Sequence, residues 1–272
     1  MAKVNIPTFK LNNGRDIPVL GYGTWLGLDE NNELLMVDLP KMIEALSHAI
    51  DVGYRHIDTA HLYRVEPEVG QVINQKIKDG VVKRDDLFVT TKVWQHNHRP
   101  ADVEASLRAS LRRLNLEYVD LVLVHWPMSI SQEGVDEKID YLETWRGFEA
   151  VLAKGLTKAI GVSNFNVQQI KRLLANCKVP PATNQVEYQR GIISIPKTNT
   201  KSRVVENASI FDFSLDAADV EAISAFDISY RTVKAICWQH YSNFPFEVNE
   251  ELEEEIPVAL LKWKNGANAN VE

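Results

Sequence analysis

Cysteine is nearly absent: Cys177 and Cys237 are the two thiols in 272 residues. Two are too few for a disulfide scaffold and lack the spacing of a zinc site. Free thiols in a reducing compartment, the cytoplasm, are the expectation. There is no run of 18 apolar residues, so no membrane-spanning helix is expected. The opening MAKVNIPTFKLNNG lacks a basic start followed by an apolar stretch, so no signal peptide is read. An excess of basic charge is missing too. The net charge of −7 argues against a broad nucleic-acid-binding face, though it leaves room for local basic pockets. No GxGxxG follows the first strand-like run, so a Rossmann dinucleotide domain is not indicated. What is present, 45% hydrophobic and 25% charged residues, suits a soluble globular chain, and the length allows one domain with a sizeable core.

Taken in order, the chain alternates strand-like and helical patterns. Thr8–Leu11 and Asp16–Leu20 flank Asn12-Asn13-Gly14-Arg15, a hairpin signal. Val19–Gly23 reads as a strand. Leu39–Val52 reads as a helix, with Met42, Ile43, Leu46, Ala49 and Ile50 on one face, Asp38 as N-cap and Gly53 as its end. Further strands are read at Tyr54–Asp58, Leu87–Lys92, Val119–His125, Ala159–Val162 and Thr183–Tyr188. Helices are read at Glu66–Lys78, Ala101–Leu114, Tyr141–Lys154 and Val167–Asn176. This alternation predicts a parallel α/β sheet. Three of the runs end in reactive groups. Gly53–Tyr63 delivers Asp58 and Tyr63, Val89–Lys92 delivers an amine, and Leu121–His125 an imidazole. Reactive groups at successive strand ends suggest an α/β barrel with one site lined by those ends.

Seven segments carry a resemblance: GYGTW at Gly21–Trp25, GYRHIDTAHLY at Gly53–Tyr63, TTKVW at Thr90–Trp94, LVHWP at Leu123–Pro127, GVSNF at Gly161–Phe165, NQVEY at Asn184–Tyr188 and IPKT at Ile195–Thr198. In this order they resemble the aldo-keto reductases, NADPH-dependent (β/α)8 TIM barrels that reduce carbonyls. The likeness runs from about Phe9 to about Phe246. The early segments are similar to insect members, some of which reduce ecdysteroid ketones. The resemblance implies one barrel domain over residues 1–248, with the N-terminal hairpin closing its bottom and a C-terminal substrate loop at Asp227–Val248. The acidic and polar remainder, 249–272, is expected as a solvated tail.

Carbonyl reduction needs a hydride at carbon and a proton at oxygen. A nicotinamide supplies the first. A tyrosine, with a reference pKa of about 10, is a poor donor near neutral pH, but an adjacent ammonium favours its phenolate and lowers that value. Tyr63 as acid, Lys92 as its tuner and Asp58 as the lysine's partner fit this logic. His125 would orient the carbonyl through a hydrogen bond. Alone, each has an ordinary alternative: a loop carboxylate, a packing phenol, a surface lysine, a core histidine. Together at successive strand ends they point to catalysis.

The resemblance places cofactor contacts at Gly23, Thr24, Trp25, Asp58, Ser163, Asn164, Gln185, Lys197, Thr198, Arg203, Glu206 and Asn207. Ser163, Asn164 and Gln185 would take the carboxamide. Lys197, Thr198, Arg203 and Asn207 would take the adenosine 2′-phosphate and adenine, and two cations there favour NADPH. Trp25, Trp94, Trp126 and Trp238, with His125, would line an apolar mouth for a small hydrophobic carbonyl. No metal, nucleic acid or membrane partner is expected, and the expected unit is a monomer.

The pattern breaks after Gln189. Only Arg190 and Gly191 separate it from Ile192–Pro196, whereas a parallel crossover needs a dozen or more residues. The family's sixth helix, seventh strand and seventh helix have no counterpart, about sixty residues at roughly thirty per βαβ unit. The barrel is therefore expected to be incomplete. The family's tyrosine under the nicotinamide and its pyrophosphate loop fall in the missing part, so weakened cofactor binding and low activity are expected. The rival reading is a catalytically silent relative serving as a binding or structural protein.

Overall fold

The computed structural model describes residues 4–27, 35, 38–185, 193–227 and 235–252. An antiparallel hairpin comes first, with β1 (Thr8–Lys10) pairing β2 (Asp16–Pro18). Six short parallel strands follow: β3 (Gly21–Gly23), β4 (His56–Asp58), β5 (Phe88–Val93), β6 (Leu121–Val124), β7 (Ile160–Ser163) and β8 (Asn184–Gln185). Each pairs with the next, so the sheet order is the chain order. Such an order with helical crossovers curls the sheet toward a barrel.

The helices between the strands are α1 (Leu39–Val52), α2 (Glu66–Lys78), α3 (Pro100–Leu114), α4 (Tyr141–Ala153) and α5 (Val167–Asn176). Their ends are set locally. Asp38 caps α1 by accepting from the Lys41 amide, and Gly53 stops it at φ 123°. There an added Cβ would meet the Val4 carbonyl oxygen at 2.4 Å. Asn166 and Gln169 form a reciprocal capping box on α5. The expected face of α3 (Val103, Leu107, Leu111 and Leu114) is buried in the main core between helices and sheet. A second cluster joins Leu11 and Ile17 of the hairpin to Phe88, Leu121 and Leu123 inside the sheet, so the hairpin plugs the bottom.

The barrel is open. Ser194 lies parallel beside β3, bonding through Ser194 N to Val19 O (2.9 Å) and Gly21 N to Ser194 O (2.7 Å), with Gly23 N to Pro196 O at 3.1 Å. An added Cβ on Gly23 would meet the Ile195 carbonyl oxygen at 2.4 Å, so this close approach requires glycine. The segment thus keeps the eighth strand's place against the first strand. Among the described residues nothing pairs with the far side of β8, and the gap falls between β8 and this segment. The connection 186–192, including the expected end of the sixth strand, lies outside the described residues.

After the gap come α6 (Lys201–Ala208) and α7 (Ala217–Ser224). Val204 and Ala208 of α6 are buried in the main core, and the Tyr54 hydroxyl donates to the Val204 carbonyl at 3.0 Å. Helix α7 buries no side chain. Within the expected substrate loop Asp227–Val248, residues 228–234 lie outside those described, as do residues 253–272 of the expected tail 249–272.

Candidate active site

Parallel register puts the reactive groups at one end of the sheet. Asp58 pairs with Thr90, and Lys92, two residues further on the same face of β5, pairs with Leu123. Asp58 and Lys92 are both almost fully buried. The Lys92 ammonium donates to both Asp58 oxygens, at 2.7 and 2.9 Å, and to the Thr59 carbonyl at 3.1 Å. It also lies 4.8 Å from the centre of the Tyr63 ring, with the phenol among its hydrogen-bonding neighbours. Burial alone would lower the lysine's pKa. The Asp58 carboxylate and Tyr63 outweigh it and leave the pKa raised, so the ammonium is charged at neutral pH.

His125 follows β6, held by its amide's bond to the Val93 carbonyl (3.1 Å). Its ring stands edge-on to Tyr63 at 5.8 Å and to Trp94 at 5.0 Å. Burial, then the charges of Lys92 and His98, push its pKa well below the usual value. The imidazole is therefore neutral and carries one N–H to donate.

Asp58 is tied in by two further residues, Thr24 and Gln185. The Thr24 amide and hydroxyl both bond its carbonyl, at 3.1 and 3.0 Å. Gln185 Nε2 donates to its Oδ2 at 2.8 Å. Ser163 Oγ and the Asn164 amide bond the Gln185 carbonyl, at 2.8 and 3.0 Å. Asn164 sits at φ 61°, in the left-handed region that asparagine tolerates, and its Nδ2 donates to the His125 carbonyl and to Ser163. Asp58, Ser163, Asn164 and Gln185 therefore form one network around the lysine.

The other expected contacts sit on the segment beside β3. The Tyr22 hydroxyl donates to the Thr198 carbonyl at 2.5 Å, fixing this stretch to the sheet. Thr198 is buried, while Lys197, Arg203 and Glu206 are exposed and Asn207 is half-buried. Neither Lys197 nor Arg203 forms an ion pair among the described residues. Partial loss of hydration at the exposed Lys197 pulls its pKa below the usual value.

The tryptophans gather as expected over the strand ends. Trp25 lies 5.0 Å from Tyr63, Trp94 5.8 Å from Trp238, and Trp238 5.4 Å from Trp126. They belong to an apolar cluster separate from the core, with Leu62, Met128, Ile130 and Phe246. Trp94, Trp126 and Trp238 are buried, so the C-terminal stretch 235–246 covers the site. It is held by side-chain contacts that no sequence pattern announces. The Tyr241 hydroxyl donates to the Gly134 carbonyl, Asn166 Nδ2 to that of Pro245 (3.0 Å), and Gln169 Nε2 to that of Asn243 (2.8 Å).

A curled parallel sheet with a buried ammonium, carboxylate and imidazole beside a half-buried phenol at its C-terminal strand ends defines an enzyme of the α/β-barrel class. The sequence matches the Aldo/keto reductase family over residues 19–190. It is 32% identical to the aldo-keto reductase AKR2E4 of Bombyx mori, over 89% of this chain and 99% of that one. It is 34% identical to aldo-keto reductase family 1 member C18 of Rattus norvegicus, over 89% and 98%. The crystal structure of Bombyx mori AKR2E5 matches with a TM-score of 0.93 at 55% identity, over 97% of this chain and 100% of that one. A second crystal structure of AKR2E5, complexed with NADPH, matches equally well. The chain belongs to the aldo/keto reductase family and is an oxidoreductase of that class. The alignment with AKR2E4 extends over 309 positions and takes in 89% of the 272 residues here, about 242, so about 67 of its positions have no counterpart in this chain.

Proposed function

We propose that this chain reduces aldehydes or ketones to alcohols with NADPH, using Tyr63 as proton donor. The observation that carries the reading is the buried Lys92 ammonium, held by Asp58 and Thr59 and set beside Tyr63. When bound, the nicotinamide supplies the hydride to the carbonyl carbon. Tyr63 gives its hydroxyl proton to the carbonyl oxygen. Lys92 stabilises the phenolate left behind, and Asp58 holds Lys92 in place. Neutral His125 donates its single N–H to the same oxygen and orients the carbonyl. The tryptophan cluster excludes water from the reacting groups.

The residues suit the cofactor at both ends. Asn164 spends its Nδ2 on His125 and Ser163, and its Oδ1 has no partner among the described residues, so it suits a carboxamide N–H. Lys197, partly dehydrated and without a carboxylate partner among the described residues, suits a phosphate, with Thr198, Arg203, Glu206 and Asn207 nearby in sequence. Gly23, Thr24 and Trp25, at the end of β3, complete this reading. The missing seventh strand removes the family's ring stack and pyrophosphate loop, so binding is weakened and turnover slow. The apolar cover suits a small hydrophobic carbonyl. A single domain, working as a cytoplasmic monomer with no membrane or nucleic-acid partner, is part of the same reading; no described helix is long and apolar enough to cross a membrane.

The test is titration of the full chain with NADPH, followed by quenching of tryptophan fluorescence. Saturable quenching, weakened by Lys197→Ala, is expected. A chain that melts cooperatively yet shows no quenching contradicts the reading.

A further inference from the structure

Tyr63 sits on a weak support. It ends a single 3-10 turn, His61–Tyr63, that has no side-chain cap and is followed by Arg64 in the left-handed region at φ 58°. Its backbone bonds among the described residues are Tyr63 N to Ala60 O at 3.0 Å and Arg64 N to His61 O at 3.3 Å. Such turns have poor hydrogen-bond geometry and do not hold a side chain to catalytic tolerance unaided.

Support comes from α3. Arg113 Nε donates to Glu66 Oε2 at 2.7 Å, and its Nη2 lies 2.6 Å from the same oxygen. Nη2 also meets His61 Nδ1 at 2.6 Å and Ser110 Oγ at 3.0 Å. The second oxygen of Glu66 accepts from the Thr91 hydroxyl at 2.7 Å. His61 and Glu66 bracket Tyr63 in sequence, and Thr91 immediately precedes Lys92. One guanidinium thus ties the turn carrying the phenol to the strand carrying the ammonium.

The chemistry of the contact is determined. A guanidinium has no acceptor, so Arg113 donates, His61 Nδ1 is bare and the ring's proton is on Nε2. Burial, then the Arg113 charge, push the His61 pKa down to about 3, so the ring stays a neutral acceptor. Glu66 is fully buried, and losing its cation would leave an uncompensated charge.

We propose that Arg113 is a positioning residue for carbonyl reduction, locking Tyr63 against Lys92 through His61 and Glu66. The proposal rests on the reading of Tyr63 as the acid, and the test separates the two. Arg113→Met, Arg113→Lys and Tyr63→Phe are compared with the unaltered full chain, using NADPH and 4-nitrobenzaldehyde as probes. Arg113→Met should lower kcat by about tenfold to a hundredfold, while KM for the aldehyde and Kd for NADPH stay within about twofold. Arg113→Lys, which keeps the charge beside Glu66 but not the fork to His61, should recover part of kcat.

Two readouts do not depend on turnover. The His61 ring nitrogens should report one tautomer in the parent chain and a mixture in Arg113→Met. Hydrogen exchange at the Tyr63 and Arg64 amides should speed at least about tenfold in Arg113→Met, while Leu121–Val124 keeps its protection. Unchanged exchange at Tyr63 and Arg64 in both folded Arg113 variants overturns the proposal, as does parental kcat in Arg113→Met. Parental turnover in Tyr63→Phe overturns the acid assignment, and with it the catalytic purpose of the brace. If Arg113→Met fails to fold, Arg113→Lys carries the exchange and kcat comparisons alone.

Discussion

The Lys92 ammonium and the Asp58 carboxylate face each other at 2.7 and 2.9 Å, with almost no solvent at either group. A pair this buried is costly to desolvate and more costly to break. Removing one partner of such a pair typically destabilises by about 3–5 kcal/mol. Asp58→Asn and Lys92→Met should each lower unfolding stability by several kcal/mol, and the double variant should lose less than the two single effects combined. Urea unfolding of the four proteins measures this. Additive losses would show that the two groups do not depend on each other.

Acid should weaken the fold before its carboxylates titrate. Burial holds His56 at a pKa of about 4 and His98 at about 3, and with the charge of Arg113 holds His61 at about 3. A histidine whose folded pKa lies below its unfolded value of about 6.5 binds fewer protons folded than unfolded between the two values. Stability is then fully present above pH 6.5 and is lost as pH falls through that window, each histidine contributing up to ~1.4 kcal/mol per pH unit. Urea midpoints at pH 7, 6 and 5 should fall steadily; a flat profile would contradict the buried neutral assignment.

Cofactor choice should depend on Lys197. Lys197→Ala should weaken NADPH binding by about tenfold, the ~1.4 kcal/mol expected of one charge-assisted contact, and change NADH binding by less than twofold. Fluorescence titrations with both nucleotides separate the cases. Equal losses for both would place Lys197 away from the 2′-phosphate.

Apolar surface on and around α7 lies in water. Phe213, Ile223 and Phe226 are exposed on and around α7, Phe226 by 83%, and α7 buries nothing. A patch of this kind binds hydrophobic dyes and neighbouring chains. The chain should bind ANS while natively folded, and Phe213→Asp with Phe226→Asp should reduce that binding. Dye binding unaffected by the double change would locate the sticky surface elsewhere.

Much of the fold was legible because its signals are local. Asp38 and Gly53 bound α1, and the Asn166–Gln169 box starts α5, as the spacing predicts. Three strand readings overreach: Val19–Gly23, Tyr54–Asp58 and Val119–His125 shorten to Gly21–Gly23, His56–Asp58 and Leu121–Val124, because apolar residues continue past the ladder; Val119 forms a lone bridge to Thr157. Asp58, Tyr63, Lys92 and His125 were legible as a set because each closes a strand or the turn after one. The Arg113–Glu66–Thr91 brace was not. Its partners lie 25 to 47 residues apart, and nothing in a helix-surface arginine announces a buried partner. The seat of Ser194–Pro196 beside β3 was equally hidden, because a break after Gln189 does not say where the chain beyond it is seated. Its ladder bonds to Val19, Gly21 and Gly23 keep it in place.

The central claim is that Tyr63 donates the proton in an NADPH-dependent carbonyl reduction. It is tested most directly by following NADPH consumption with 4-nitrobenzaldehyde for the parent chain and for Tyr63→Phe, at matched cofactor saturation. The account predicts slow, saturable turnover in the parent and a loss of at least about a hundredfold in the variant, with NADPH affinity retained. Parent-like turnover in Tyr63→Phe, or a parent chain that binds NADPH and consumes none with any aldehyde or ketone offered, would contradict it.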